Sequence, residues 1–397
     1  MAAFLWFHLF YELVIIFVNI IIRNKPWRFI GYMSKSKKNG RVEMLRFLFA
    51  LSILFFHIHK RFAENGNISI GIKGVYFFNH GYIGVEFFFL VSGYLLAASA
   101  YAKRKKDTSL IGTETAQIMW KKIKNIFPYH LFAIILTIIV NAYFLENTVK
   151  GRLTYVIDSW ASVFFLQVFG FDSTWVNKLT WYLDVWLMVT FIFWYFLRKH
   201  YDVFVKIVCP LMALFVLGYM AHEYNSLAGI DGWTGHFYKC FLRGYAEMAL
   251  GCSAYSLTRQ LNKIDFTLAG KRLLGIVELL CYVLVFRYAV TGVDPKYSFM
   301  TLFIMFIGLI LTFSEVNPVH QIFDSPIFDW CGKMSLLIYL NQFYSIRLIQ
   351  SLLPDVSFAV KVIACTALTF VGAFVCEVVV GYFNKNKPIR KLIIKGE

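Results

Sequence analysis

Apolar runs of about twenty residues, the length that spans a bilayer as a helix, recur along nearly the whole chain. Core spans are expected near 44–60, 83–101, 126–145, 182–197, 203–221, 239–258, 273–290, 297–313, 330–352 and 356–382. The pattern predicts an all-α, polytopic membrane helix bundle of about ten core transmembrane helices. A further apolar segment, 3–22, precedes them and either spans or lies in the interface ahead of Pro26 and Trp27. It lacks the basic start and small-residue cleavage site of a signal peptide. The stretch 159–171 is apolar but short, as a re-entrant segment or outer cap would be. Composition excludes the soluble alternative. With 59% hydrophobic and 16% charged residues, against roughly 45–50% and about 25% in soluble domains, the apolar load exceeds what a water-soluble core can hide. The seven cysteines form no CxxC pair, and Cys209, Cys281, Cys365 and Cys376 sit inside apolar runs as small core residues.

The basic residues orient the bundle. Lys35, Lys37, Lys38 and Arg41, then Lys103, Arg104, Lys105 and Lys106, then Lys121, Lys122 and Lys124 fall on one side. Arg198, Lys199, Arg259, Lys263, Lys271, Arg272 and the tail with Lys385, Lys387, Arg390, Lys391 and Lys395 join them. The other loops hold few, and the positive-inside rule then places both core termini in the cytoplasm. The net charge of +17 reads as loops facing an anionic leaflet; cations dispersed in this way do not form a nucleic-acid surface. The expected division is an N-terminal apolar segment and basic linker (1–40), one membrane domain (41–383) and a basic cytoplasmic tail (384–397), with no internal repeat and no soluble catalytic domain. Chemistry then belongs to the bundle and its short loops.

Polar groups inside membrane helices need a reason. In the first core span, RVEMLRFLFALSILFFHIHK, Arg46 and His57 are eleven positions apart. Eleven helical steps return to within about 20° of the same direction and advance about 16 Å. One helix face therefore carries a cation toward the cytoplasm and an imidazole toward the outside. The bland alternatives are a snorkelling arginine and an outer-end histidine beside His59 and Lys60. Glu86 begins the next span at the depth of His57, where a carboxylate can orient an imidazole or simply favour a helix start. Ser92 and Gly93 lie deeper, suited to a hydroxyl donor and close ligand approach or to plain helix packing. Lys121, Lys122 and Lys124 could hold a phosphate-bearing ligand, although ordinary positive-inside loading also explains them. Trp181 and Tyr182 fit an aromatic belt; Asp184 does not. Arg243 and Glu247 are spaced as a local ion pair. Ser335, Tyr339, Asn341 and Gln342 could hydrogen-bond between helices.

Together and in this order these signals resemble the acyltransferase-3 family of integral membrane acyltransferases, of the polysaccharide O-acetyltransferase type without an SGNH domain. The R-x10-H pair is Arg46 and His57. GVEFFFLVSG over 84–93, KKIKNIFP over 121–128, WYL over 181–183, RGYAEMALG over 243–251 and GKMSLLIYL over 332–340 resemble further family blocks. Lys replaces the usual Arg in the second of these, and Gln342 stands where many relatives have His. The resemblance implies transfer of an acyl group, usually acetyl, from cytoplasmic acetyl-CoA as co-substrate to a carbohydrate hydroxyl at the outer face of a bacterial inner membrane. It assigns catalysis to His57, Glu86 and Ser92. Arg46, Lys121, Lys122 and Lys124 would bind the donor, and Trp181, Tyr182, Asp184, Arg243 and Tyr339 the acceptor, with Ser92 or Tyr339 also a candidate oxyanion donor. No metal is expected. The rivals are a transporter or flippase, for which no inverted repeat is found, an acyltransferase using an amino sugar or lipid acceptor, and a structural scaffold.

Overall fold

A computed structural model describes residues 39–63, 74–146, 148–171, 173–316 and 323–385; segment 3–22 lies outside them. Each of the ten expected spans is a helix. They are α1 (Gly40–Phe62), α2 (Gly84–Ala102), α3 (Ile111–Leu145), then after a short α4 (Val149–Asp158), α5 (Trp181–Lys199), α6 (Cys209–Tyr224), α7 (Lys239–Leu261), α8 (Leu268–Ala289), α9 (Ser298–Phe313), α10 (Pro326–Leu352) and α11 (Phe358–Lys385). Six are long and apolar enough to cross a membrane: α1, α2, α3, α6, α9 and α11, with α2, α6 and α9 counted together with the helical turns before them. The other four have 19, 23, 22 and 27 residues but are more polar.

Local chemistry starts the helices where the sequence changes character. The Asn39 side chain accepts from the Arg41 and Val42 amides, and Glu43 lies in the first turn of α1, both favourable at a helix N-terminus. The third span continues toward its N-terminus through the basic stretch: 111–145 is one helix with Pro128 inside. A proline is tolerated where neighbours re-satisfy the freed backbone. At about 1.5 Å per residue the 35-residue helix is far longer than the ~30 Å hydrocarbon core. Its basic first part, with Lys121, Lys122 and Lys124, therefore extends toward the Lys/Arg-rich end of the bundle.

Segment 159–171 does not cross. The Thr174 amide donates to the Asp158 carbonyl at 2.9 Å, so the chain leaves and returns at one end. Buried polar bonds hold this cap in place: His130 Nε2 to the Ser162 carbonyl at 2.9 Å, Gln167 Nε2 to Thr180 Oγ1 at 3.0 Å, and Asn177 Nδ2 to the Leu340 carbonyl at 3.1 Å. The alternation of ends through ten helices is thereby kept.

The closest helix pairing is α2 with α7, and small residues allow it. A Cβ on Gly93 would lie 2.0 Å from the Met248 carbonyl oxygen, and one on Gly251 2.1 Å from that of Leu90. Gly93 is thus committed to packing, not to ligand approach. Gly93→Ala should destabilise the protein by about 1–3 kcal/mol, the usual cost of overpacking. Thermal unfolding in detergent checks this against Gly218→Ala, where the new methyl meets nothing within 4 Å.

Candidate active site

Helix α1 packs mainly on α10 and carries the Arg46–His57 stripe. Arg46 is 29% exposed at its side chain and pairs with Glu43 one turn earlier, NH1 to Oε2 at 3.1 Å. His57 is half-buried, and its Nδ1 lies 2.8 Å from the Ile53 carbonyl oxygen. A carbonyl only accepts, so Nδ1 carries the proton and Nε2 presents its lone pair. Among the described residues Nε2 has no hydrogen-bond partner.

Glu86 does not orient this imidazole. Its Oε1 accepts from Arg243 NH2 at 2.6 Å, and its other oxygen has no partner. A fully buried carboxylate needs a buried counter-charge, and α7 supplies one. Glu247, one turn along α7, places Oε1 3.8 Å from Arg243 Nε, so that two buried carboxylates flank one guanidinium. Arg243 also donates to the Gly229 carbonyl at 3.2 Å and stands 5.0 Å from the centre of the Trp181 ring. Arg243 and Trp181 are therefore 2% and 5% exposed, parts of a charge-pairing core more than of an open acceptor surface. Asp184 is 1% exposed, and neither of its carboxylate oxygens has a hydrogen-bond partner.

Other residues converge beside α1. Ser92 Oγ lies 3.0 Å from the Tyr182 hydroxyl, which donates to the Phe88 carbonyl at 3.2 Å. The Ser92 proton is then directed at the Tyr182 oxygen. The Tyr182 and Tyr339 rings meet edge-on at 6.1 Å. The Tyr339 hydroxyl donates to the Leu179 carbonyl. Tyr182 is in electrostatic range of Arg46. One turn along α5, the Trp186 ring carries Lys122, whose ammonium is 4.5 Å from the centroid. Lys121 and Lys124 are exposed on α3. A band of Lys122, Trp186, Tyr182 and Ser92, with Arg46 alongside, thus runs inward from the basic part of α3. His57, Tyr182 and Lys122 are each half-buried. A cavity of about 340 Å³ at the far end of α1 is lined by Phe56, His59, Lys60 and His80, among others, and not by His57.

The structure therefore gathers Ser92, Tyr182, Tyr339 and Arg46 in one neighbourhood and Glu86, Arg243 and Trp181 in another. Among the described residues no hydrogen bond or ion pair joins His57 to Glu86. Sequence reasoning passed over Glu43, although its i,i+3 spacing to Arg46 was a usable signal, and it passed over Trp186 and the Ile53 carbonyl.

This arrangement, with a cation and an open imidazole on one half-buried helix stripe, is that of a polytopic helical membrane protein. The family model for the acyltransferase domain matches residues 39–378, and the chain belongs to that family, acyltransferase-3. The chain is 21% identical over 357 residues to the peptidoglycan O-acetyltransferase OatA of Listeria monocytogenes serovar 1/2a (strain ATCC BAA-679 / EGD-e). The match covers 82% of this chain and 53% of that relative, so the chain spans about half the relative's length. No solved structure matches the chain.

Proposed function

We propose that the protein moves an acetyl group from cytoplasmic acetyl-CoA to a hydroxyl of a surface glycan or its lipid-linked precursor. The observation that carries this reading is His57: its tautomer is fixed by the Ile53 carbonyl at 2.8 Å and its Nε2 is open. The phosphates of the donor bind Arg46, Lys121, Lys122 and Lys124 at the basic end, which the positive-inside rule places in the cytoplasm. The acyl thioester reaches along the α1 stripe, about 16 Å from Arg46 to His57. Nε2 takes the proton of the acceptor hydroxyl as its oxygen bonds to the thioester carbonyl carbon. The carbon–sulfur bond then breaks, and the sulfur leaves as thiolate and takes up the proton held by His57. The acetyltransferase activity in the name of the Listeria relative supports the acetyl donor and the carbohydrate acceptor.

Arg46→Ala tests the donor assignment. Loss of a charge-assisted contact of ~1.5–3 kcal/mol corresponds to roughly a tenfold to hundredfold weaker binding. The apparent KM for acetyl-CoA should rise accordingly, while that for the acceptor changes little. An unchanged donor KM would make Arg46 a topology anchor, paired only with Glu43.

A further inference from the structure

The far end of the α1 stripe carries a second feature, on α10. Arg61, one turn beyond His57 and displaced about 40° from it around the helix, donates from Nε to Gln350 Oε1 at 2.5 Å. Arg347 of α10 directs NH1 at the same oxygen, at 3.4 Å. Two guanidinium groups thus converge on one neutral amide oxygen, and among the described residues no carboxylate pairs with either. Arg347 is half-buried, and its Nε is fully covered with no hydrogen-bond partner. Like charges held this close repel, and a covered donor without an acceptor is unfavourable. An oxyanion between the two guanidinium groups removes the repulsion. Guanidinium forks suit carboxylate and phosphate groups in bidentate geometry.

We propose that Arg61 and Arg347 form an acceptor subsite that takes an anionic group, carboxylate or phosphate, of the glycan substrate. The class of acceptor is therefore an acidic glycan. The placement favours the glycan over an anionic lipid headgroup, because Arg61 stands one helical turn, about 6 Å, from the proposed base. That offset lets an acid group on a sugar ring be gripped while a hydroxyl of the same or the neighbouring ring meets Nε2. The inference rests on the acyl-transfer reading above.

The test uses the full chain in nanodiscs of a neutral lipid. Acetyl transfer is measured to a uronic-acid-containing oligosaccharide and to its carboxyl-reduced counterpart. The wild type should prefer the acidic acceptor by at least tenfold in kcat/KM. In Arg347→Gln, and separately in Arg61→Gln, that ratio should fall toward one. Arg347→Lys keeps a charge and should retain part of the preference, which guards against a variant that fails to fold. Transfer to both acceptors with equal efficiency by the wild type would overturn the subsite and leave the transfer reading standing. So would an unchanged ratio in the variants. A preference that appears only after anionic lipid is added would assign the arginines to the headgroup instead. Absence of transfer to any carbohydrate would overturn the reading and this inference with it.

Discussion

His57→Ala is expected to lower acyl transfer by about 10²–10⁴-fold, the usual contribution of a positioned general base, with little loss of folded protein in the membrane. The two halves of this expectation have different origins. Loss of activity follows from removing the open Nε2. Retention of the fold follows because the imidazole makes only a local bond, Nδ1 to the carbonyl four residues earlier on its own helix. Its removal therefore breaks no bond between helices. Transfer of radiolabelled acetyl to carbohydrate, measured beside size-exclusion profiles of the purified variant, checks both halves. Aggregation of His57→Ala would assign the histidine to packing.

Arg243→Ala should show the opposite pattern. Glu86 and Glu247 are both 0% exposed and lie on α2 and α7, the most tightly packed helix pair. Without Arg243 they lose the guanidinium that both face, and breaking a buried pair by removing one partner costs about 3–5 kcal/mol. Against a total stability on the order of 5–15 kcal/mol, most of the protein should be lost from the folded fraction. Arg243→Lys keeps the charge but not the planar fork that reaches Glu86 while standing over Trp181, so its yield should fall between the two. Melting temperature and monodisperse yield in detergent give the ordering. Wild-type yield in Arg243→Ala would show that the carboxylates are neutral or solvated.

Helix positions were legible because span length is set by bilayer thickness, which makes each apolar run nearly self-sufficient. The Arg46–His57 stripe was legible for a similar reason, since helical periodicity is local. Partnership was not. Glu86 and Arg243 are 157 residues apart, and nothing in the spacing says which helices will neighbour each other. Proximity to His57 in depth was a poor guide to the partner of Glu86, because depth fixes one coordinate out of three. The blocks GVEFFFLVSG and RGYAEMALG mix two functions that sequence cannot separate. Gly93 and Gly251 bring backbones into contact, while Glu86 and Arg243 neutralise one another across the same crossing.

Sealed proteoliposomes test the central claim, that one helix stripe joins a donor on one side of the membrane to an acceptor on the other. Radiolabelled acetyl-CoA is enclosed within, and the acceptor glycan is supplied only outside. Label is predicted on the outer glycan with the wild-type chain, in the fraction of molecules whose basic end faces the lumen, and none with His57→Ala. Label that appears only when donor and acceptor share one compartment, or that persists undiminished without His57, would contradict it.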